Sequence, residues 1–269
     1  LIGYIPHKQF DKNLKVNHYF FSIASVSKNK VPGVFLKLIL KVRSLNKSNF
    51  VGVVGINSKL LSFHKWLGYK VFKMDHHFFQ NQNKKNFILK KKYKNKFLKF
   101  FLDITEINEK NLSILNKNFF LNNAPRKSKK YICNRYLKHP FYKYNIFFLK
   151  KSNTKVLLVT RIVKIKKISI LKIVDCIFHK NDFKFIGLSL QKILEKTNCE
   201  YADIYSHGIK EILFKTSGFL NRYSYDEIVP EYFEPFKYKN IDIYCAYISN
   251  LKNIRLFKGD GDMDRPSIL

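Results

Sequence analysis

Residues 50–72, FVGVVGINSKLLSFHKWLGYKVF, constrain the fold more than any other stretch. Residues 50–56 are apolar, uncharged and rich in Val, too short for a buried helix, and they read as a buried strand. Asn57 or Ser58 can cap the helix that comes next. Leu60, Leu61, Phe63, Trp66 and Leu67 recur at helical spacing, Gly68 stops the helix, and residues 69–72 start a second strand. Strand, short helix, glycine and strand in so few residues make an α/β crossover, which requires a parallel or mixed sheet. A crossover alone carries no chemistry.

Upstream, residues 19–26 (YFFSIASV) read as a strand, 27–30 as a polar turn with Lys28 and Lys30, and Pro32 as the first turn of a helix running to about residue 45. Unpaired N–H groups and the dipole at that helix start can hold a phosphate, with two lysines adding charge. The same pattern is also an ordinary strand-to-helix loop in a Lys-rich chain.

The 269 residues are 46% hydrophobic, enough for one large or two ordinary domains. A net charge of +32 suits nucleic acid, anionic membrane or small anionic substrates. The basic residues are spread along the whole chain, which equally fits a biased composition with solvated lysines. Four cysteines, at 133, 176, 199 and 245, form no CxxC pair, which argues against structural zinc or a disulfide framework and fits a reducing, cytoplasmic compartment. No run approaches ~18 uncharged apolar residues, so no transmembrane helix is expected. The first residue is Leu1 and no signal-peptide pattern comes after it, so a missing native N-terminus belonging to the first domain is an open expectation.

Residues 84–100 interleave lysines with Tyr93, Phe97 and Leu98, which suits a linker with a solvated face or a nucleic-acid-binding stretch. Residues 101–118 read as one or two short helices. Tyr131, Arg135, Tyr136, His139 and Tyr142 can line a pocket or pack between domains. The second half reads as strands at 144–149, 155–161 and 163–176, a helix over 185–195 capped by Asp182, a strand at 200–205, a helix ended by Gly218, and a late strand at 241–248. WLGY at 66–69 and TSGF at 216–219 close similar units, a weak internal repeat. The expected division is a first domain over 1–80, a linker and helical region over 81–143, a second domain over 144–250 and a tail over 251–269. The acidic, aromatic residues 223–236 can close over another domain or bind a cationic group.

These residues resemble the GCN5-related N-acetyltransferase fold. Asn57 matches the family's Asn, His64 stands where its helix usually carries Tyr, and Gly68-Tyr69 match its Gly-Phe. In the upstream loop Lys28 matches the basic position and Gly33 the last glycine, while Val31 replaces the first. In the second half Gly218-Phe219 match the closing pair, Phe214 stands at the Tyr position and His207 at the Asn position. Its loop over 180–187 keeps only Gly187, so if one copy has lost the cofactor, the second is the one expected to have done so. The resemblance implies an α/β fold of tandem acyl-CoA N-acyltransferase-like domains with mixed β-sheets. It implies acetyl-CoA or another acyl-CoA as donor, held by Ile23, Ser25, Val26, Lys28, Lys30, Gly33 and Val34, with His64 and Asn57 in the catalytic positions.

Tandem domains of this kind occur in acyltransferases resembling those that add amino acids to peptidoglycan precursors, and in proteins encoded with surface-polysaccharide genes. The closing GDGDMDRP is similar to a tail of the second kind. The expected reaction is acyl transfer to an amino or hydroxyl group of a sugar or nucleotide-sugar acceptor, with His76, Tyr136, Asp262 and Asp264 as substrate contacts. The alternatives are a transfer-RNA-dependent aminoacyl transferase and a non-catalytic nucleic-acid-binding protein. Asp260, Asp262 and Asp264 read as a packed tail or as site-lining carboxylates; they lack the further oxygens and closing Glu of a calcium loop, and no metal is expected.

Overall fold

The computed structural model describes residues 1–24, 32–44, 49–121 and 123–263. In chain order the regular elements are β1 (Ile2–Pro6), β2 (His18–Ala24), α1 (Val34–Ser44), β3 (Phe50–Val54), α2 (Leu61–Trp66), β4 (Lys70–Lys73), β5 (Asp75–Gln80), β6 (Asp103–Ile107), α3 (Lys129–Ile132), β7 (Asn145–Lys151), β8 (Thr154–Ile165), β9 (Ile168–Phe178), α4 (Gly187–Lys196), β10 (Tyr201–His207), α5 (Glu211–Ser217), β11 (Leu220–Asn221), β12 (Tyr244–Ser249) and β13 (Leu256–Phe257).

The strands form two mixed sheets. The first runs β1-β2-β3-β12-β4, with β2 and β3 parallel and the other neighbours antiparallel. The second runs β11-β5-β10-β9-β8-β7-β6, with β9 and β10 parallel, and β13 pairs with β10. Sheet membership crosses the sequence boundary at residue 80 twice. β5 lies in the second sheet, antiparallel to β10, and β12 lies in the first, between β3 and β4. One short strand from each half completes the other half's sheet.

Helices α1 and α2 cover one face of the first sheet, where Tyr19, Phe21, Ile39, Val42, Val51 and Leu67 pack. The largest core joins the second sheet to α4 and α5 through Phe79, Phe183, Leu190, Phe214 and Phe219. Phe20, Phe50, Val54, Met74, Tyr205 and Leu256 form a third core shared by elements of both sheets.

The region expected to be helical over 101–118 instead contains β6 and two 3-10 turns. Ile104 and Ile107 sit in an antiparallel ladder with β7, and β-branched residues favour that pleated surface over an isolated short helix. Asp182 does not cap α4. Its carboxylate accepts the Lys155 N–H at 3.1 Å, and a 3-10 turn, Asp182–Phe185, precedes the helix. The acidic stretch does meet the basic one, but through backbone: the Glu227 carboxylate accepts the N–H groups of Lys90 and Lys91 at 3.0 and 3.1 Å.

Candidate functional site

The parallel pair in the first sheet parts at its carboxyl end. β2 and β3 are in register from His18–Phe50 to Phe21–Val53. β2 then continues to Ala24 along β1, whereas β3 ends at Val54 and Gly55, at φ +87°, turns the chain away. The Gly55 and Ile56 N–H groups bond the Tyr244 carbonyl at 2.8 and 3.1 Å. The last residues of β2 therefore have no β3 partner, and Ser22 and Ile23 are exposed, Ile23 to 63%.

Beyond this opening, Gly33 starts α1. Its carbonyl accepts the Lys37 N–H at 2.9 Å, its φ is +79°, and no described atom lies within 4 Å of where a Cβ would be. The first turn of α1 contains no acidic residue. Its N–H groups carry the positive end of an eleven-residue helix, which favours an anion. Ser25, Val26, Lys28 and Lys30 lie outside the described residues.

The second sheet repeats the topology with a different outcome. β9 and β10 are in register only from Leu171–Ala202 to Ile173–Ile204. Past that point β10 pairs with β13, Ser206 opposite Phe257 and His207 opposite Leu256. The chain thus threads its own carboxyl-terminal strand into the gap. The Arg255 guanidinium donates to the Phe178 carbonyl at 2.7 Å and lies 3.9 Å over its ring, at the carboxyl end of β9. Gly259 sits where a Cβ would be 2.8 Å from the Val174 carbonyl. From there the tail crosses to the first sheet. A Cβ on Gly261 would be 2.7 Å from the Val54 side chain, and Met263 packs on Gly55.

Buried ions fix this tail on both sides. Lys258 pairs with Glu231, Lys172 bridges Glu231 (3.5 Å) and Asp203 (2.6 Å), and Asp203 accepts from His76 Nε2 at 2.9 Å. Two lysines face two carboxylates there, so the group is balanced. Burial holds the His76 imidazole down at about 3, against the pull of Asp203. Asp203 is itself held low: burial opposes this, and Lys172 and His76 outweigh it. In a second group Lys127 lies between Asp175 (2.6 Å) and Asp260 (2.8 Å), and Tyr136 donates to Asp175 at 2.8 Å. One cation meets two carboxylates, and burial together with the Asp175 charge pushes Asp260 up.

The sequence matches no protein-family model and no curated protein. Solved structures do share its fold. A conserved protein of unknown function from Enterococcus faecalis, described as a probable N-acyltransferase, aligns with a TM-score of 0.51 at 11% identity, over 88% of this chain and 56% of that one. A GCN5-related N-acetyltransferase from Anabaena variabilis aligns with a TM-score of 0.52 at 10% identity, over 86% of this chain and 55% of that one. The fold is that of the GCN5-related N-acetyltransferases. At this identity the likeness is one of fold, and the chain spans little more than half the length of either structure.

Within this acetyltransferase-like fold the expected site residues fall into separate places. Ile23 lies on the end of β2 that has parted from β3, and Gly33 and Val34 start α1, the next described element. Asn57 is exposed and accepts the Lys59 N–H at 3.0 Å, capping a 3-10 turn before α2. His64 is 7% exposed, and its Nδ1 donates to the Leu60 carbonyl at 2.8 Å, which leaves Nε2 as the acceptor nitrogen. His76 has no exposed surface; it stacks 3.7 Å from Tyr205 and belongs to the buried ion group. Tyr136 is likewise enclosed, with burial and Asp175 raising its hydroxyl. Asp262, at φ +58°, accepts from Arg135 Nη2 at 2.9 Å, and Asp264 lies outside the described residues.

Sequence reasoning missed the buried ion groups, although a signal existed. Lys172 and Asp175 interrupt ISILKIVDCIF, the apolar strand β9, and ions inside a buried strand need partners. A second feature is a basic cleft of about 670 Å³ lined by Asp11, Lys15, Lys117, Arg126, Lys129 and Lys130 among others. Asp11 is already committed, accepting from Ser128 at 2.6 Å. The Arg126 backbone is pinned by two buried histidines: His7 Nδ1 donates to its carbonyl at 2.9 Å, and its N–H donates to His18 Nδ1 at 3.1 Å.

Proposed function

We propose that the protein is an acyltransferase that takes its acyl group from acetyl-CoA or another acyl-CoA at the first opening. The observations that carry this reading are the parting of β2 from β3 and, at the head of α1, the helix that comes next in the chain, a glycine that no described atom crowds. The Gly33 position leaves room for a phosphate group at the helix N–H groups, because no described atom lies within 4 Å of where its Cβ would be. The edge of β2 that β3 leaves at Ser22 and Ile23, opposite the β1 edge, would hold and polarise an acyl carbonyl. Ser25, Val26, Lys28 and Lys30 complete the proposed donor set. A bound acyl-CoA supplies an activated thioester for attack by an amine or hydroxyl. His64, with Nε2 as acceptor, is the proposed proton-transfer group, and Asn57 holds the turn that leads into its helix.

The proposed acceptor is an amino or hydroxyl group of a sugar precursor for a surface glycan. The basic cleft supports an acceptor carrying phosphate, such as a nucleotide sugar. It adjoins Arg126, which is bonded to the start of β2 at His18, about 13 Å along the strand from Ser22. Release of free thiol from acetyl-CoA with a panel of amino sugars and their nucleotide derivatives tests this. Acceptor-dependent release that Gly33→Val abolishes is expected. No release from any acyl-CoA with any acceptor would overturn the reading.

A further inference from the structure

We infer that the second opening has the chain's own carboxyl-terminal segment as its resident ligand, so that each chain carries one donor site and not two. Only the word donor rests on the function proposed above; the occupancy rests on geometry. Parallel strands that part leave ladder groups unpaired, and these need partners when buried. β13 supplies them to β10 by antiparallel pairing at Ser206 and His207. Arg255 closes the wide end on the Phe178 carbonyl, and Gly259 fills the narrow end against the Val174 carbonyl. Leu256 and Phe257 are fully buried there.

The charges agree with a built fit. The tail inserts a lysine where two carboxylates, Asp203 and Glu231, face only Lys172, and two residues later a carboxylate beside Lys127. Without Lys258 the first group holds one cation against two buried anions, a costly arrangement. The place corresponding to the Gly33 cradle is shut as well. A Cβ on Gly187, at the head of α4, would lie 2.5 Å from both the Phe97 side chain and the Ser217 carbonyl. Ser189 in the same turn exchanges hydrogen bonds with the Leu102 backbone at 2.7 and 2.8 Å. The tail and residues 97–102 therefore occupy both halves of a region that no described residue fills around β2 and α1.

Hydrogen exchange on the full chain, with donor counting by native mass spectrometry, tests the inference. Peptides covering 174–178 and 205–207 are expected to exchange as slowly as those of β8 in the unaltered protein. They should exchange about tenfold faster or more in Gly259→Val, while β6 to β8 stay protected. Should Gly259→Val not fold, Arg255→Gln, which removes only the clamp on Phe178, reads the same peptides. Fast exchange in the unaltered protein, or exchange that neither variant changes, would overturn the occupancy. Two acetyl-CoA molecules on the unaltered chain would also overturn it. No bound acetyl-CoA at all would count against the donor reading, and the exchange result would still decide the occupancy.

Discussion

Where β2 leaves β3, Ser22 and Ile23 are exposed and no described atom crowds the glycine at the head of the next helix. Where β9 leaves β10, a strand, two ion groups and a crowded glycine fill the same region. The two pairs share a strand-helix-strand order, so topology does not set the difference. What sets it is which other segments arrive. The second pair receives β13 and residues 97–102, whereas among the described residues the tail reaches the first at Val54 and Gly55. One repeated unit can thus turn the gap between its parting strands into core, while in its twin no described strand enters that gap.

The largest effect should come from the ion group beside the filled opening. Lys127→Met leaves Asp175 and Asp260 buried with no shared cation and should cost about 3–5 kcal/mol of unfolding free energy. Asp260→Asn leaves a one-to-one pair and should cost much less, a contrast that chemical denaturation of both variants resolves. Equal losses would mean that the charge imbalance read between Lys127 and its two partners is wrong.

Acid should weaken the fold through histidines held neutral inside it. Burial, aided by Arg126, lowers His18 from 6.5 to about 4, and burial lowers His76 to about 3. The unfolded chain takes up protons that the folded chain refuses, so stability is complete above pH 6.5 and falls below it. The His18 contribution, up to about 3 kcal/mol, is spent near pH 4, and the His76 contribution, up to about 5 kcal/mol, near pH 3. Thermal melts from pH 7.5 to 4.5 should show the decline, and His18→Gln should flatten it. A melting temperature independent of pH over that range would contradict the assignment.

The smallest differences separate the two glycines. Gly187→Ala should cost about 1–3 kcal/mol by overpacking against Phe97 and the Ser217 carbonyl. Gly33→Ala should cost only about 1 kcal/mol, from its positive φ, yet weaken acetyl-CoA binding. Denaturation and calorimetric titration of the pair would sharpen the contrast. Weakened donor binding in Gly187→Ala with none in Gly33→Ala would reverse it.

Local signals carried far in this sequence. The strand, short helix and glycine of residues 50–68 appear as β3, α2 and Gly68 at φ +82°, and Gly218 ends α5 at φ +88°. Periodicity and a left-handed cap are properties of neighbouring residues, and so they are legible. Partner choice is not. Nothing within DHHFFQ or YCAYIS says that β5 and β12 trade sheets, because their ladders join residues more than 100 positions apart. The tail's aspartates were legible as unusual, but Asp260 faces Lys127, a residue in another segment and unremarkable by itself. Of the expected donor residues, Ile23 lies on the parted end of β2 and Gly33 and Val34 at the head of α1, two elements that are consecutive in the chain. His76 and Tyr136 lie in ion and hydrogen-bond groups whose partners come from β10 and β9.

The most direct measurement is a hydrogen-exchange difference map of the full chain with and without saturating acetyl-CoA. Added protection confined to residues 22–37, with none at 174–178, 187–190 or 205–207, is the predicted result. Protection centred on the second sheet, or no change anywhere, would contradict the account.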